Sequence, residues 1–409
     1  MPDRREEVAH VLRRTTFGPF PGVTERMAGR GPAAAIEAVL AAAPLVPDMP
    51  TLTEDAEETA DGPAATWLRL MANPAAGIHE KMVWFWHGHL TSSFNKVDTW
   101  EMMWRQHLLL REHALGNFRD LMRAVTVDAA MLQFLDGDGS TADAPNENYA
   151  RELMELFTLG RGNYSQQDVR GAATALAGWS VDYPDPTVSF DPDDGNTAPV
   201  RLLGRTVTTA ENVVDAVCRH PACARFVTAK LYRYLVGVDP PADRLGGLAQ
   251  IFTESGLEIR PVVEAIVRDG AFLAARLTRP RFPVEWVTAA LALCGIDDPV
   301  TAYECLDALG QVPFYPPSVA GWPTGTQWLS ASHAVVRAAL AVEAPALSAV
   351  ASAPDPVTAA FELAAIYSPS PGTRSAAEGL ASALRREDPD TRASALLALV
   401  VCSPEFALA

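Results

Sequence analysis

Apolar positions along the chain recur mostly at three- and four-residue spacing, the period of a helix buried on one side. Residues 3–14 show it first. Asp3 stands where an N-cap belongs, Glu6 follows three positions later, and Val8, Val11 and Leu12 share one face. Gly18 and Pro19 end that run. The Ala-rich stretch 33–43 predicts a second helix, and a Pro- and acid-rich link follows over 44–62. The pattern predicts further helices over 64–71, 75–86, 98–114, 117–126, 146–159 and 165–177. It breaks over 179–205, where 187–190 and 200–203 read as extended segments of a small β-hairpin or a structured insertion. Helices resume at 210–218, 222–236, 242–255, 262–268 and 284–294. Residues 310–327 are irregular, and from Ser332 the chain is Ala-rich and predicted helical to its end. Strands do not alternate with helices, so a layered α/β architecture is not expected. The fold class is all-α: a large multi-helix domain with a short β-hairpin insertion around residues 180–205.

Composition narrows the partners more than the chemistry. The chain has 409 residues, 48% of them hydrophobic, enough to bury a large core. Fifty acidic residues oppose 33 basic ones, for a formal charge of -17. That balance argues against a nucleic-acid binder, which needs basic surface to release counterions, and against a polybasic membrane-surface protein. No segment approaches the roughly 20 apolar residues of a membrane helix. The first residues, Met-Pro-Asp-Arg-Arg-Glu-Glu, lack the apolar stretch of a secretory signal. Five scattered cysteines fit reduced, mostly buried thiols. The expectation is a cytoplasmic protein with no membrane segment and no nucleic-acid partner. Only three basic residues are lysines, Lys81, Lys96 and Lys230, a bias that reads as genome composition.

Three segments carry candidate chemistry. In Trp84-Phe85-Trp86-His87-Gly88-His89 the apolar run is helical and Gly88 is expected to end it. His87 and His89 then fall at a helix C-terminus and in the following turn, where neutral imidazoles suit a metal. The structural alternative is a histidine favoured by the helix dipole beside an unrelated second one. In the 146–160 segment, Glu147, Asn148, Arg151, Glu152, Glu155 and Thr158 share a polar face. Glu152 and Glu155 offer a ligand or general base, against the plainer reading of a solvated face held by i,i+4 ion pairs. The Pro/Gly-rich loop 316–328 holds Trp322 and Trp328 and suits a lid or binding loop, against ordinary anchoring by buried indoles. Cys218, His220 and Cys223 lack a second pair at zinc-finger spacing. Asp191, Asp193 and Asp194 lack the ligand order of a calcium loop.

These blocks match one family in order. They are Phe85-Trp86-His87-Gly88-His89, Leu110-Arg111, Ala114 to Phe118, Met131-Leu132, Leu135-Asp136, the signature from Pro145 to Gly160, Gly178-Trp179, Gly321-Trp322 with Trp328, and Ser403 to Phe406. The chain resembles the bacterial domain-of-unknown-function family 1800 from about His10 to Phe406. The resemblance implies a mainly helical protein, and a partner encoded nearby that resembles the sulfatase and alkaline-phosphatase superfamily and often carries a twin-arginine export signal. Export together with that partner is the alternative to staying inside. Where relatives carry a His-Asp pair and a downstream Lys, this chain has Asp193-Asp194 and Ala198. Because the blocks span both halves, residues 1–409 are expected to form one large helical unit. Its alternative division is 1–180, carrying the motifs, and 206–409.

The resulting expectation is an enzyme with a polar site. His87, His89 and Glu152 would hold a divalent transition metal, with Glu155 and Arg151 as the catalytic pair: Glu155 the general base, and Arg151 orienting a carboxylate or an anionic substrate. Asn148, Trp322 and Trp328 would contact the substrate. The chemistry would be hydrolytic or oxidative, on a glycan-like or anionic compound. The alternative is a non-catalytic partner or escort of the sulfatase/alkaline-phosphatase-like protein. Paired-carboxylate glycoside hydrolysis needs a separation of roughly 5–9 Å across a cleft, which two residues on one helix do not suit.

Overall fold

Asp3 opens the structure as its pattern requires: its carboxylate accepts the Arg5 backbone N–H (2.8 Å) and starts the helix Arg4–Thr15. The computed structural model describes residues 3–53, 55–56, 59–183, 185–342 and 348–409. The link expected over 44–62, the insertion around 180–205 and the helical run from Ser332 therefore cross positions (54, 57–58, 184 and 343–347) that lie outside the described residues.

Helices dominate, twenty-four of them among the described residues, and the all-α expectation holds. The irregular insertion is two antiparallel hairpins rather than one. Strand β1 (Trp179–Asp182) pairs with β2 (Thr187–Phe190), and β3 (Val200–Leu202) with β4 (Arg205–Val207). The second hairpin turns on Leu203 and Gly204, both at positive φ, the tight connection that a right-twisted ribbon favours.

The chain packs around one helix, Gly77–His89, in which twelve of thirteen residues are buried. A helix apolar on every side belongs in the middle of a large protein. Its two charged residues are each paired. Glu80 accepts from Arg111 (2.8 and 2.5 Å), and Lys81 pairs with Glu285. Buried apolar side chains form a contiguous cluster from Val8 to Phe406. The first helix also reaches late segments of the chain. Arg13 donates to the Ala365 carbonyl and Arg14 to those of Ala275 (3.0 Å) and Ala409 (2.7 Å).

Two more elements position the site. The helix Pro221–Val236 starts at His220, whose ring Nδ1 accepts the Ala222 N–H, with Pro221 at its first position. It stops at Gly237, which is left-handed (φ 92°). The irregular 310–327 segment closes over the end of the central helix. Gly321 makes this approach close: its φ is 80°, and a Cβ there would stand 2.2 Å from the Gly88 carbonyl oxygen.

Candidate functional site

The central helix runs past its expected span of 75–86 and through the expected breaker Gly88 to His89, so both histidines are helical and about 200° apart around the axis. They face different surroundings. His87 enters an aromatic cluster of Trp67, Trp84, Phe314 and Trp322, with ring centroids 5.2 to 5.9 Å away. Its Nε2 accepts the Phe314 backbone N–H (3.1 Å), and burial pushes its pKa down to about 3. It is a neutral core histidine.

His89 turns to the 146–160 segment, which is not one α-helix. An α-helical Glu147–Glu152 passes into a π-helical Leu153–Thr158. The Leu159 N–H reaches back five residues to the Met154 carbonyl (2.9 Å), and the Thr158 hydroxyl donates to the Leu153 carbonyl (2.6 Å). Side chains from elsewhere hold the wider turn. His89 Nε2–H donates to the Phe157 carbonyl (2.9 Å), and Lys230 Nζ donates to the Leu156 carbonyl (2.9 Å). Lys230 also donates to His89 Nδ1 (3.1 Å), which fixes the His89 tautomer with its proton on Nε2. Burial first, then Lys230, drives the His89 pKa far below its ordinary value. Such π-segments gather at functional sites.

The expected donor set is not assembled. Both His89 ring nitrogens are engaged, and His87 faces away from it. Glu155 accepts from the Tyr164 hydroxyl (2.7 Å) and Arg161 (2.5 Å), which hold its carboxyl below the usual range. Glu152 is half-buried, and burial, then Glu155, raises its pKa. Arg151 pairs with Glu147 (3.2 Å) and donates to Gln166 (3.0 Å); Asn148 donates to the Leu135 carbonyl (3.3 Å). No group of three or more His, Cys, Asp and Glu is placed to hold a metal ion among the described residues. The two loop indoles are buried rather than presented singly to solvent. Trp328 donates to the Pro323 carbonyl (2.9 Å) and pins the loop. Trp322 stacks on Trp84 at 4.8 Å and 19°.

What these elements enclose is a cleft of about 490 Å³. The central helix supplies Trp84, Phe85, Gly88 and His89, and the loop supplies Trp322 to Gly325. Helix Pro221–Val236 contributes Lys230, Arg233 and Tyr234, which share a face at i, i+3 and i+4. Arg279 and Phe282 close another side. None of the described lining residues is Asp or Glu. Arg279 is bound by both oxygens of the buried Glu285 (2.7 and 2.8 Å), and Arg233 donates to Asp239 (2.6 Å). Lys230 is in no ion pair among the described residues, and burial, then Arg233, lowers its pKa to about 8.

Of the residues expected from sequence, His89 and Trp322 line this cleft; His87, Asn148, Arg151, Glu152, Glu155 and Trp328 do not. Lys230, Arg233 and Arg279 were missed. One signal marked Lys230: lysine is scarce, at three residues in the chain.

No curated protein and no solved structure matches the chain. The family model described as "Protein of unknown function (DUF1800)" matches residues 10–408, nearly the whole length, and the chain belongs to that family.

Proposed function

We propose that the chain is an enzyme or binding protein for a small organic anion with a flat apolar body, taken up in the cleft at His89 and Lys230. One observation carries this reading. In a chain of formal charge -17, a cleft lined by three cationic side chains and no described carboxylate holds a half-buried lysine without a counter-ion. Low-dielectric walls of one charge sign focus the field on a ligand of the other. Trp84, Phe85, Phe282 and Trp322 supply flat apolar surface beside those charges. The anionic half of the expected substrate class fits this cleft. Bound metal would need donors other than the set His87, His89 and Glu152, which does not converge. The five free cysteines, four of them buried, favour a reducing compartment, as for a cytoplasmic protein. No described helix is long and apolar enough to cross a membrane.

Calorimetric titration tests the proposal with benzoate as the anionic probe and benzamide as its neutral counterpart. Wild type is expected to bind benzoate saturably and benzamide at least about tenfold more weakly, the equivalent of roughly 1.4 kcal/mol. Lys230→Gln with Arg233→Gln is expected to remove that preference. Benzoate binding is expected to weaken as pH rises through about 8, because the Lys230 ammonium then loses its charge. Equal binding of the two probes, or a preference that survives the double substitution, would overturn the reading.

The partner reading rests on the resemblance, with the exposed Val46 and Met49 of the 44–62 link as apolar contact points. Co-expression with a sulfatase/alkaline-phosphatase-like protein of the kind the resemblance implies, followed by co-purification of wild type but not of a Val46→Ser/Met49→Ser variant, is its test.

A further inference from the structure

The chain has three lysines, and the structure gives each a different condition. Lys81 is fully buried and paired with Glu285. Lys96 is on the surface and paired with Asp136 (2.5 Å). Lys230 lines the cleft, and its Nζ meets two hydrogen-bond acceptors, the Leu156 carbonyl at 2.9 Å and His89 Nδ1 at 3.1 Å. The Phe226 ring lies 4.8 Å away, a cation–π distance.

A neutral amine has two N–H donors and one lone pair; an ammonium has three donors and none. Each acceptor at Lys230 takes one N–H, which leaves the third position on nitrogen, a proton in the ammonium and a lone pair in the neutral amine, without a described acceptor, because the other His89 nitrogen is committed to Phe157. The neutral amine thus satisfies both hydrogen bonds and keeps a lone pair that no described protein group uses. Arg233, one turn along the same helix and paired with Asp239, adds a cation that favours the neutral amine.

We infer that Lys230 is a nucleophile that forms an imine with the carbonyl of a 2-oxo acid. This deepens the anion-binding reading and rests on it. The nitrogen lone pair attacks the carbonyl carbon, and a C–N bond forms as the C=O π pair moves to oxygen. That oxygen takes up a proton as the nitrogen gives one up. The carbinolamine then loses its hydroxyl, with the second nitrogen proton, as water, and leaves C=N. No electrons are exchanged with another reactant, and the carboxylate is a bystander that the cationic wall orients. The apolar rings of the cleft favour a 2-oxo acid with a flat substituent.

The test is reductive trapping on the intact protein with phenylglyoxylate and sodium cyanoborohydride near pH 8, followed by peptide mapping. Lys230 is expected to carry roughly tenfold or more adduct than Lys96, since about half of its amine is neutral at that pH. Excess benzoate is expected to suppress the adduct. Lys230→Arg keeps a cation in place but has no amine able to form an imine, and is expected to lose the adduct while melting as a folded protein. An adduct that favours Lys96, or none at Lys230, overturns the inference. Benzoate binding measured in parallel separates the two readings. Retained binding without an adduct refutes the amine alone, and loss of both refutes the cleft.

Discussion

Glu285→Gln is expected to destabilise the protein by about 3–5 kcal/mol, the usual cost of leaving buried charges uncompensated. Glu285 is 1% exposed and is the carboxylate on which both Lys81 and Arg279 depend. It also accepts the Phe282 N–H (3.1 Å). Burial works against its charge, but Arg279 and Lys81 outweigh burial and hold its carboxyl well below the usual range. A group whose folded pKa is depressed contributes stability above its unfolded value and loses it as pH falls through the folded one. The wild-type advantage should therefore be full at neutral pH and vanish only in strong acid. Urea unfolding at neutral pH measures it. Glu362→Gln, which breaks the exposed pair with Arg5, is the comparison and should cost less than about 1 kcal/mol. Similar losses for the two variants would mean that the Glu285 cluster does not anchor the central helix to the 279–285 segment. That segment carries Arg279 and Phe282, so the cleft depends on this anchor.

Trp67→Ala is the second large effect, at roughly 3–5 kcal/mol for an indole removed from a packed core. Trp67 is fully buried, donates from Nε1 to Glu80 (3.2 Å), and lies 4.3 to 5.4 Å from the rings of His107, His87, Trp84 and Phe314. The substitution leaves a void beneath His87 and takes a donor from Glu80. Trp67→Phe keeps most of the volume and loses only the donor, so its cost should fall to about 1–2 kcal/mol. If Trp67→Ala cost less than about 1 kcal/mol, the aromatic cluster would not be the support that holds the His87 turn and the Trp322 loop together.

The helical fold was legible because amphipathic periodicity reports burial directly, as the first helix shows from its Asp3 cap to its Val8 and Leu12 face. The π-helix was not. It depends on Lys230 and His89 capturing the Leu156 and Phe157 carbonyls, and these residues lie far apart in sequence. A wheel at 100° per residue places Glu152 and Glu155 correctly only while the helix stays α. The His-x-His spacing read as a metal pair because its helix was expected to stop at Gly88; one more helical residue sends the rings to opposite sides. His89 and Trp322 were found because motif and pocket coincide there. Arg279 was not, since what marks it is its Glu285 partner and the Phe282 and Tyr234 rings around it, a tertiary feature.

The most direct measurement on the central claim is a crystal structure of the protein with benzoate bound. Benzoate is expected in the cleft, its carboxylate within hydrogen-bond distance of Lys230 or Arg233 and its ring against Trp322 or Phe282. Benzoate bound elsewhere, with the cleft holding solvent at saturating concentration, would contradict the assignment of this cleft as the anion site.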